Sequence, residues 1–199
     1  MRVESATTTM PQTTYNDLLL QRDGNRYRWE LLENRNLSLQ HLDTNEVLKT
    51  VRLGIECGRL PEDTGTDIPV ILSKFGLLKD GKLNNAAAVL FGKHEDMEYP
   101  QCLLRLARFK GTDKTVFMDS QRIQGNFFQL LNAAMAFIFK HLSLSGTTDT
   151  LEREEHLTIP YKAIREGVLN SLTHRSYKEA GGSVGIAIYD NRVKIENPG

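Results

Sequence analysis

TIPYKAIREGVLNSLTHRSYKEAGGSVGIAIYDNRVKIENPG, Thr158 to Gly199, is the stretch whose reading decides the fold. Ile164, Val168 and Leu172 recur at helical spacing and give one apolar face, which belongs against a core. Glu166, Asn170 and His174 repeat the same interval about half a turn away, so one helix carries an anchoring face and a polar working face. Pro160 suits the helix start, because its missing N–H costs nothing in a first turn, and it restricts Ile159 to extended geometry. Gly167 in mid-helix costs roughly 1 kcal/mol relative to Ala, and its bare position beside Glu166 leaves room for a ligand or another backbone. After Gly181 and Gly182, Val184, Ile186 and Ile188 alternate along a strand, and Val193 and Ile195 return along a second. Asp190-Asn191 between them forms a two-residue turn, since Asp and Asn tolerate positive φ.

Working outward, the segment just upstream, LEREEHLTIP, reads as a strand with acidic positions leading into that helix, and His156 within it as a surface residue. Asn126 to Leu142 is apolar nearly all round, the pattern of a helix at the centre of a core. His141 near its end suits a C-terminal dipole partner. AAAVLFG (86–92), QCLLRLARFKG (101–111) and TVFMDSQRIQG (115–125) read as three strands. Asp43-Thr44-Asn45-Glu46 has the form of a capping box and opens a helix from about Thr44 to Cys57, ended by Gly58. Asp67 caps a second, shorter helix, and Lys79-Asp80-Gly81 makes a turn between apolar residues. Helix, short helix and turn have a winged-helix-like order, but acidic residues are interspersed with Arg52, Arg59, Lys74, Lys79 and Lys82, the mixture of a solvated surface. Met1 to Thr14 is Thr-rich and polar, a disordered lead-in by composition, and Tyr27 and Trp29 pack a short element onto the body.

The motifs carry a resemblance. REGVLNSLTHRSY followed by GIAIYDNRVKIENPG is similar to the REALVNAxxHRDY and IxIYDDRxEIxNPG signatures of a large prokaryotic family of transcriptional regulators, often labelled "ATP-dependent DNA helicase RecG-related". LNNAAAVLFGKH and LLRLARFKGTD resemble the family's upstream segments, so the likeness runs from about Leu37 to Gly199. The resemblance implies a divergent ATPase module of the GHKL type (gyrase, histidine kinase, MutL), with the helix above as its N-box. On that reading Glu166 polarises the attacking water, and Asn170 coordinates Mg²⁺ between ATP phosphates. His174 and Arg175 match the family's His-Arg pair on the phosphate side, Ser176 stands where the family has Asp, and Asn197 and Gly199 fall where the adenine-reading loop begins. The remaining glycine loop, the lid and the second glycine box would follow Gly199, so the module is expected to be incomplete, with ATP bound weakly or not at all by this chain and hydrolysis confined to a full-length relative. The Schlafen/AlbA-type domain that commonly precedes this region has no counterpart here.

Composition limits the alternatives. Twenty-five basic and 25 acidic side chains cancel, so no global field draws the chain to nucleic acid. Cys57 and Cys102 have no metal spacing and read as buried free thiols. No apolar leader is visible, and Phe127 to Phe139 is too short to span a bilayer, which points to a cytoplasmic location without a membrane partner. A phosphate-binding P-loop, a nucleophile elbow and a zinc pattern are all missing. The expected fold is α+β. A lead-in (1–36) precedes a helical, winged-helix-like connector (37–85), an α/β middle region (86–157), and the helix and hairpin (158–199) that open an incomplete GHKL-like sandwich. The expected function is that of a transcriptional regulator, or a piece of one, with a degenerate ATP module and DNA reached through the full-length protein. Two alternatives stand beside it: a Mg-dependent ATPase completed by a second copy or by further C-terminal residues, and a non-enzymatic interaction module. In the last, the sheet edge after Glu196 recruits another strand, including one from a second copy.

Overall fold

The computed structural model describes residues 2–3, 6–7, 11–12, 15, 28–93, 99–142, 144–147, 154–157, 159–179 and 181–198. Tyr27, Gly199 and the side chain of His156 lie outside the described residues, as does most of the Thr-rich lead-in, within which Arg2–Val3 pairs with Ala6–Thr7. Among the described residues the fold is α+β, with five α-helices and a four-stranded mixed sheet.

The N-terminal half is built by its caps. Helix α1 (Thr44–Glu56) starts where the Asp43 carboxylate accepts from the amides of Asn45 and Glu46. Only half of the expected capping box forms, because the Glu46 side chain turns to Lys49 and the Asp43 amide donates to the Phe91 carbonyl. Cys57, at the far end of this helix, is exposed rather than buried, whereas Cys102 is buried as its apolar setting predicts. Helix α2 (Ile68–Lys74) starts at Asp67, which accepts from the Val70 amide. Asp80 (φ 51°) and Gly81 (φ 75°) close the two-residue turn between β1 (Leu78–Lys79) and β2 (Lys82–Leu83) in the left-handed region such hairpins require.

The AAAVLFG segment is not a strand. It is helix α3 (Asn85–Phe91), begun by the Asn84 side chain accepting from the Ala87 amide. Uniform apolarity hides the helical period, and the alanines that favour a helix prevail. Val47, Val51, Ile71, Leu72, Leu83, Ala87 and Phe91 close into a first core around these helices.

The C-terminal half packs helices on a sheet ordered β8-β7-β3-β4, made of β3 (Leu103–Lys110), β4 (Val116–Gln124), β7 (Val184–Ile188) and β8 (Val193–Glu196). Helix α4 (Phe127–His141) is opened by a reciprocal Asn126/Gln129 box. A short antiparallel pair, β5 (Leu144–Thr147) and β6 (Glu154–Leu157), leads to α5 (Tyr161–Thr173). Strand β3 runs antiparallel to β4 and parallel to β7, with Leu104 opposite Val184 and Leu106 opposite Ile186. This register places those four side chains, with Ile188, on the face covered by α4 and α5. Each such aliphatic side chain stabilises the fold by about 1.5–3 kcal/mol when taken fully out of water. A bulge between Arg108 and Phe109 shifts the strand, and Phe109 stacks on Tyr189 at 5.2 Å.

Asp190 and Asn191 do form the turn between β7 and β8, but without positive φ, which among non-glycine described residues occurs at Asp80. The Asp190 carboxylate is held elsewhere: it accepts from Arg108 Nη2 at 2.5 Å and from the Gly111 amide at 2.7 Å. His141 stands in the last turn of α4, as a C-terminal dipole partner would, and also pairs with Asp119 Oδ2 at 2.8 Å across to β4.

Candidate functional site: the outer line of the last helix

Helix α5 divides as its sequence requires. Ile164, Val168 and Leu172 are buried against the sheet, and Val168 and Leu172 are sealed completely. On the opposite side Glu166 and Asn170 are exposed, and Asn170 Nδ2 donates to Glu166 Oε1 at 3.2 Å. That bond uses the amide nitrogen and leaves Oδ1 of the exposed Asn170 as an acceptor. His174 continues the line at the helix C-cap, its amide donating to the Asn170 carbonyl at 2.9 Å. Gly167 allows a close approach, and the neighbour is Ile195 of β8: a Cβ there would stand 3.2 Å from Ile195 Cδ1. The glycine therefore seats the hairpin against the helix.

The loop after α5 is pinned from two sides. Ser176 donates its amide to the Pro198 carbonyl at 2.9 Å, and the Pro198 ring lies against Gly182. This brings the segment holding the exposed Asn197 to the loop that follows α5. Arg175 turns the other way. It is 5% exposed, and its guanidinium donates to the carbonyls of Gln101 and Gly182, the latter at 2.9 Å, while lying 5.0 Å over the Tyr177 ring. Burial pulls its pKa below the ordinary guanidinium value, with smaller opposing influences from Tyr177 and Cys102. Burial likewise pushes the Tyr177 hydroxyl up, and that hydroxyl donates to the Leu172 carbonyl at 2.8 Å.

The structure thus gathers Glu166, Asn170 and His174 on one exposed line, sets Asn197 near its end, and takes Arg175 inside; Gly199 lies outside the described residues. Gln101 and Gly182, which hold Arg175, have no signal in the sequence, because they act through backbone carbonyls that every residue possesses. Among the described residues no group of three His, Cys, Asp or Glu side chains is placed to hold a metal, so a cation here would need most of its ligands from a bound molecule. The oxygen donors of Asn170 and Glu166 suit Mg²⁺, which is commonly held by one or two protein groups together with substrate phosphates.

No family model and no curated protein matches the chain. Among solved structures, the crystal structure of the DIP2311 protein from Corynebacterium diphtheriae is similar, with a TM-score of 0.65 at 13% identity. The likeness covers 100% of this chain and 38% of that one, so the chain spans well under half the length of its structural neighbour. At that identity the shared property is the fold. No helix among the described residues is long and apolar enough to cross a membrane.

Proposed function

We propose that the C-terminal half is a degenerate nucleotide-binding module of a transcriptional regulator, in which the outer line of α5 meets the phosphates of Mg·ATP. The observation that carries this reading is the joint placement of Glu166, Asn170 and His174 on one solvent face, with Asn197 brought to its end by the Ser176–Pro198 bond. Asn170 Oδ1 would hold the cation, and the Glu166 carboxylate would orient a water. DNA contact would belong to the full-length protein, since the chain's own charge is balanced. Calorimetric titration with Mg·ATP tests the reading. Saturable heat that disappears in Asn170→Ala is the expected result, and no heat at millimolar nucleotide sinks it. If turnover is present, Glu166→Ala abolishes it and leaves binding nearly intact, because the base acts mainly in the transition state.

A second reading, an interaction module, draws on a specific surface. Val116, Phe117 and Met118 are each more than half exposed on β4, an edge of the sheet. An open edge with apolar side chains recruits another strand. Sedimentation that stays monomeric at high concentration, and is unchanged by Phe117→Lys, would count against a second copy as that partner.

A further inference from the structure

A cavity of about 470 Å³ lies where the two cores meet. Ala86, Val89 and Leu90 of α3 form one wall, Phe127 of α4 and Leu172 of α5 the other, and Trp29 covers one side. Trp29 is fixed there by an edge contact with Tyr99 at 5.3 Å and a stacked contact with Tyr177 at 6.4 Å. Pockets of this size, mainly apolar with a few placed polar groups and seated between packed units, are the usual form of small-molecule sites.

The charge around the cavity is unbalanced. Arg175, Arg28 and Lys178 contribute to the lining against one carboxylate, Glu30, which Arg28 already holds at 2.7 Å. Lys178 has no ion-pair partner among the described residues. Arg175 is the decisive residue. It is buried, its acceptors are carbonyls, and its Nε–H has none, so no carboxylate offsets its charge. A guanidinium taken out of water without an opposing charge is costly, and an anion in the adjoining cavity removes that cost. An inorganic anion would leave the apolar walls unmatched. We propose that this junction cavity binds a small organic anion with an apolar body, of the class of medium-chain carboxylates, its head toward Arg175 and Lys178 and its tail against Ala86, Leu90 and Phe127. The proposal is independent of the nucleotide reading and uses none of Glu166, Asn170 or His174.

Trp29 is the single tryptophan of the chain and lines the cavity, so its emission reports occupancy directly. The test is titration of the intact chain with octanoate, with 1-octanol as the uncharged comparison. The expected result is a saturable change with octanoate and binding roughly tenfold or more weaker with octanol, the scale of one charge-assisted hydrogen bond. Lys178→Glu weakens octanoate by about threefold or more, as an exposed charge reversal would. Ala86→Leu, which fills the wall, abolishes binding, and circular dichroism and melting temperature show both variants folded. No saturable change up to millimolar octanoate, equal affinity for octanol, or undiminished binding to the folded Ala86→Leu variant would each overturn the proposal.

Discussion

Gly182→Ala tests the lock between the loop after α5 and the segment after β8. A Cβ at Gly182 would stand 2.5 Å from Pro198 Cγ and 2.8 Å from Pro198 Cβ, distances no real pair of carbons keeps. Gly182 does not have a left-handed φ, so the backbone accepts alanine and the whole effect is steric. The proline ring cannot rotate aside. Either Pro198 withdraws, breaking the 2.9 Å bond from the Ser176 amide, or the Gly182 loop withdraws, breaking the 2.9 Å bond from Arg175 Nη2. A neutral bond is worth about 0.5–1.5 kcal/mol and one from a charged group about 1.5–3 kcal/mol, so the first route is the cheaper. Alanine also lowers the entropy of the unfolded chain, which offsets about 0.4–1 kcal/mol.

Gly181→Ala isolates that offset. Gly181 has open space around its Cβ position and no positive φ, so its substitution should stabilise by the entropy effect alone. Because the entropy effect is common to both, urea unfolding of the two variants should differ by the lost bond, about 0.5–1.5 kcal/mol, with Gly182→Ala the weaker. Amide exchange at Ser176 should lose protection in Gly182→Ala and keep it in Gly181→Ala. Equal unfolding midpoints with Ser176 still protected would refute the lock.

Three other outcomes follow from the packing and the charges. The bond from Arg108 is the main cause that holds the Asp190 carboxyl below the usual carboxylate range, with the Gly111 amide second. Because the folded-state value is the lower one, the stabilisation is complete above the unfolded value of about 4 and is lost as pH falls through the folded value. Asp190→Asn should thus be less stable than wild type at neutral pH, with the two stability curves converging in acid; parallel curves would exclude the pair as a contributor. Cys102 is buried and its thiol is pushed up to about 12, chiefly by burial, whereas Cys57 is exposed. Iodoacetamide on the native chain should give a single adduct, at Cys57, and an adduct at Cys102 without denaturant would contradict the packing around it. Leu106→Ala, at a side chain 1% exposed beneath α4 and α5, should cost about 2–5 kcal/mol in chemical unfolding, while Leu53→Ala, 47% exposed, should stay within about 0.5 kcal/mol.

What is legible in the sequence is local. Asp43 and Asp67 mark helix starts because a cap needs a particular side chain at a particular place. The alternation of Leu104 with Leu106, and of Val184, Ile186 and Ile188, marks the strands, but their parallel pairing depends on chain segments far apart and leaves no local trace. Helix α3 escapes a sequence reading because an unbroken apolar run has no period. In the candidate site, the faces of α5 follow from spacing. The inward turn of Arg175 does not, because its partners are carbonyls. Gly167 does mark a place of close approach, although the approaching group is Ile195.

The loop from His174 to Lys178 is where the two proposals meet. Its first residue continues the exposed line of α5, its second is the buried guanidinium beside the cavity, and its third holds Pro198. An anion that relieves the charge of Arg175 would act on the bonds to Gln101 and Gly182, and Gly182 in turn packs against Pro198. The same few bonds hold Pro198, and with it the segment of Asn197, to the loop after α5. A ligand on either side of the loop can change affinity on the other only by favouring one arrangement of these bonds, and linkage then requires the effect to be equal in both directions. Measured factors for nucleotide on octanoate and for octanoate on nucleotide should therefore agree. If both sites bind and each factor is one, the loop is a rigid wall between independent sites rather than a connection.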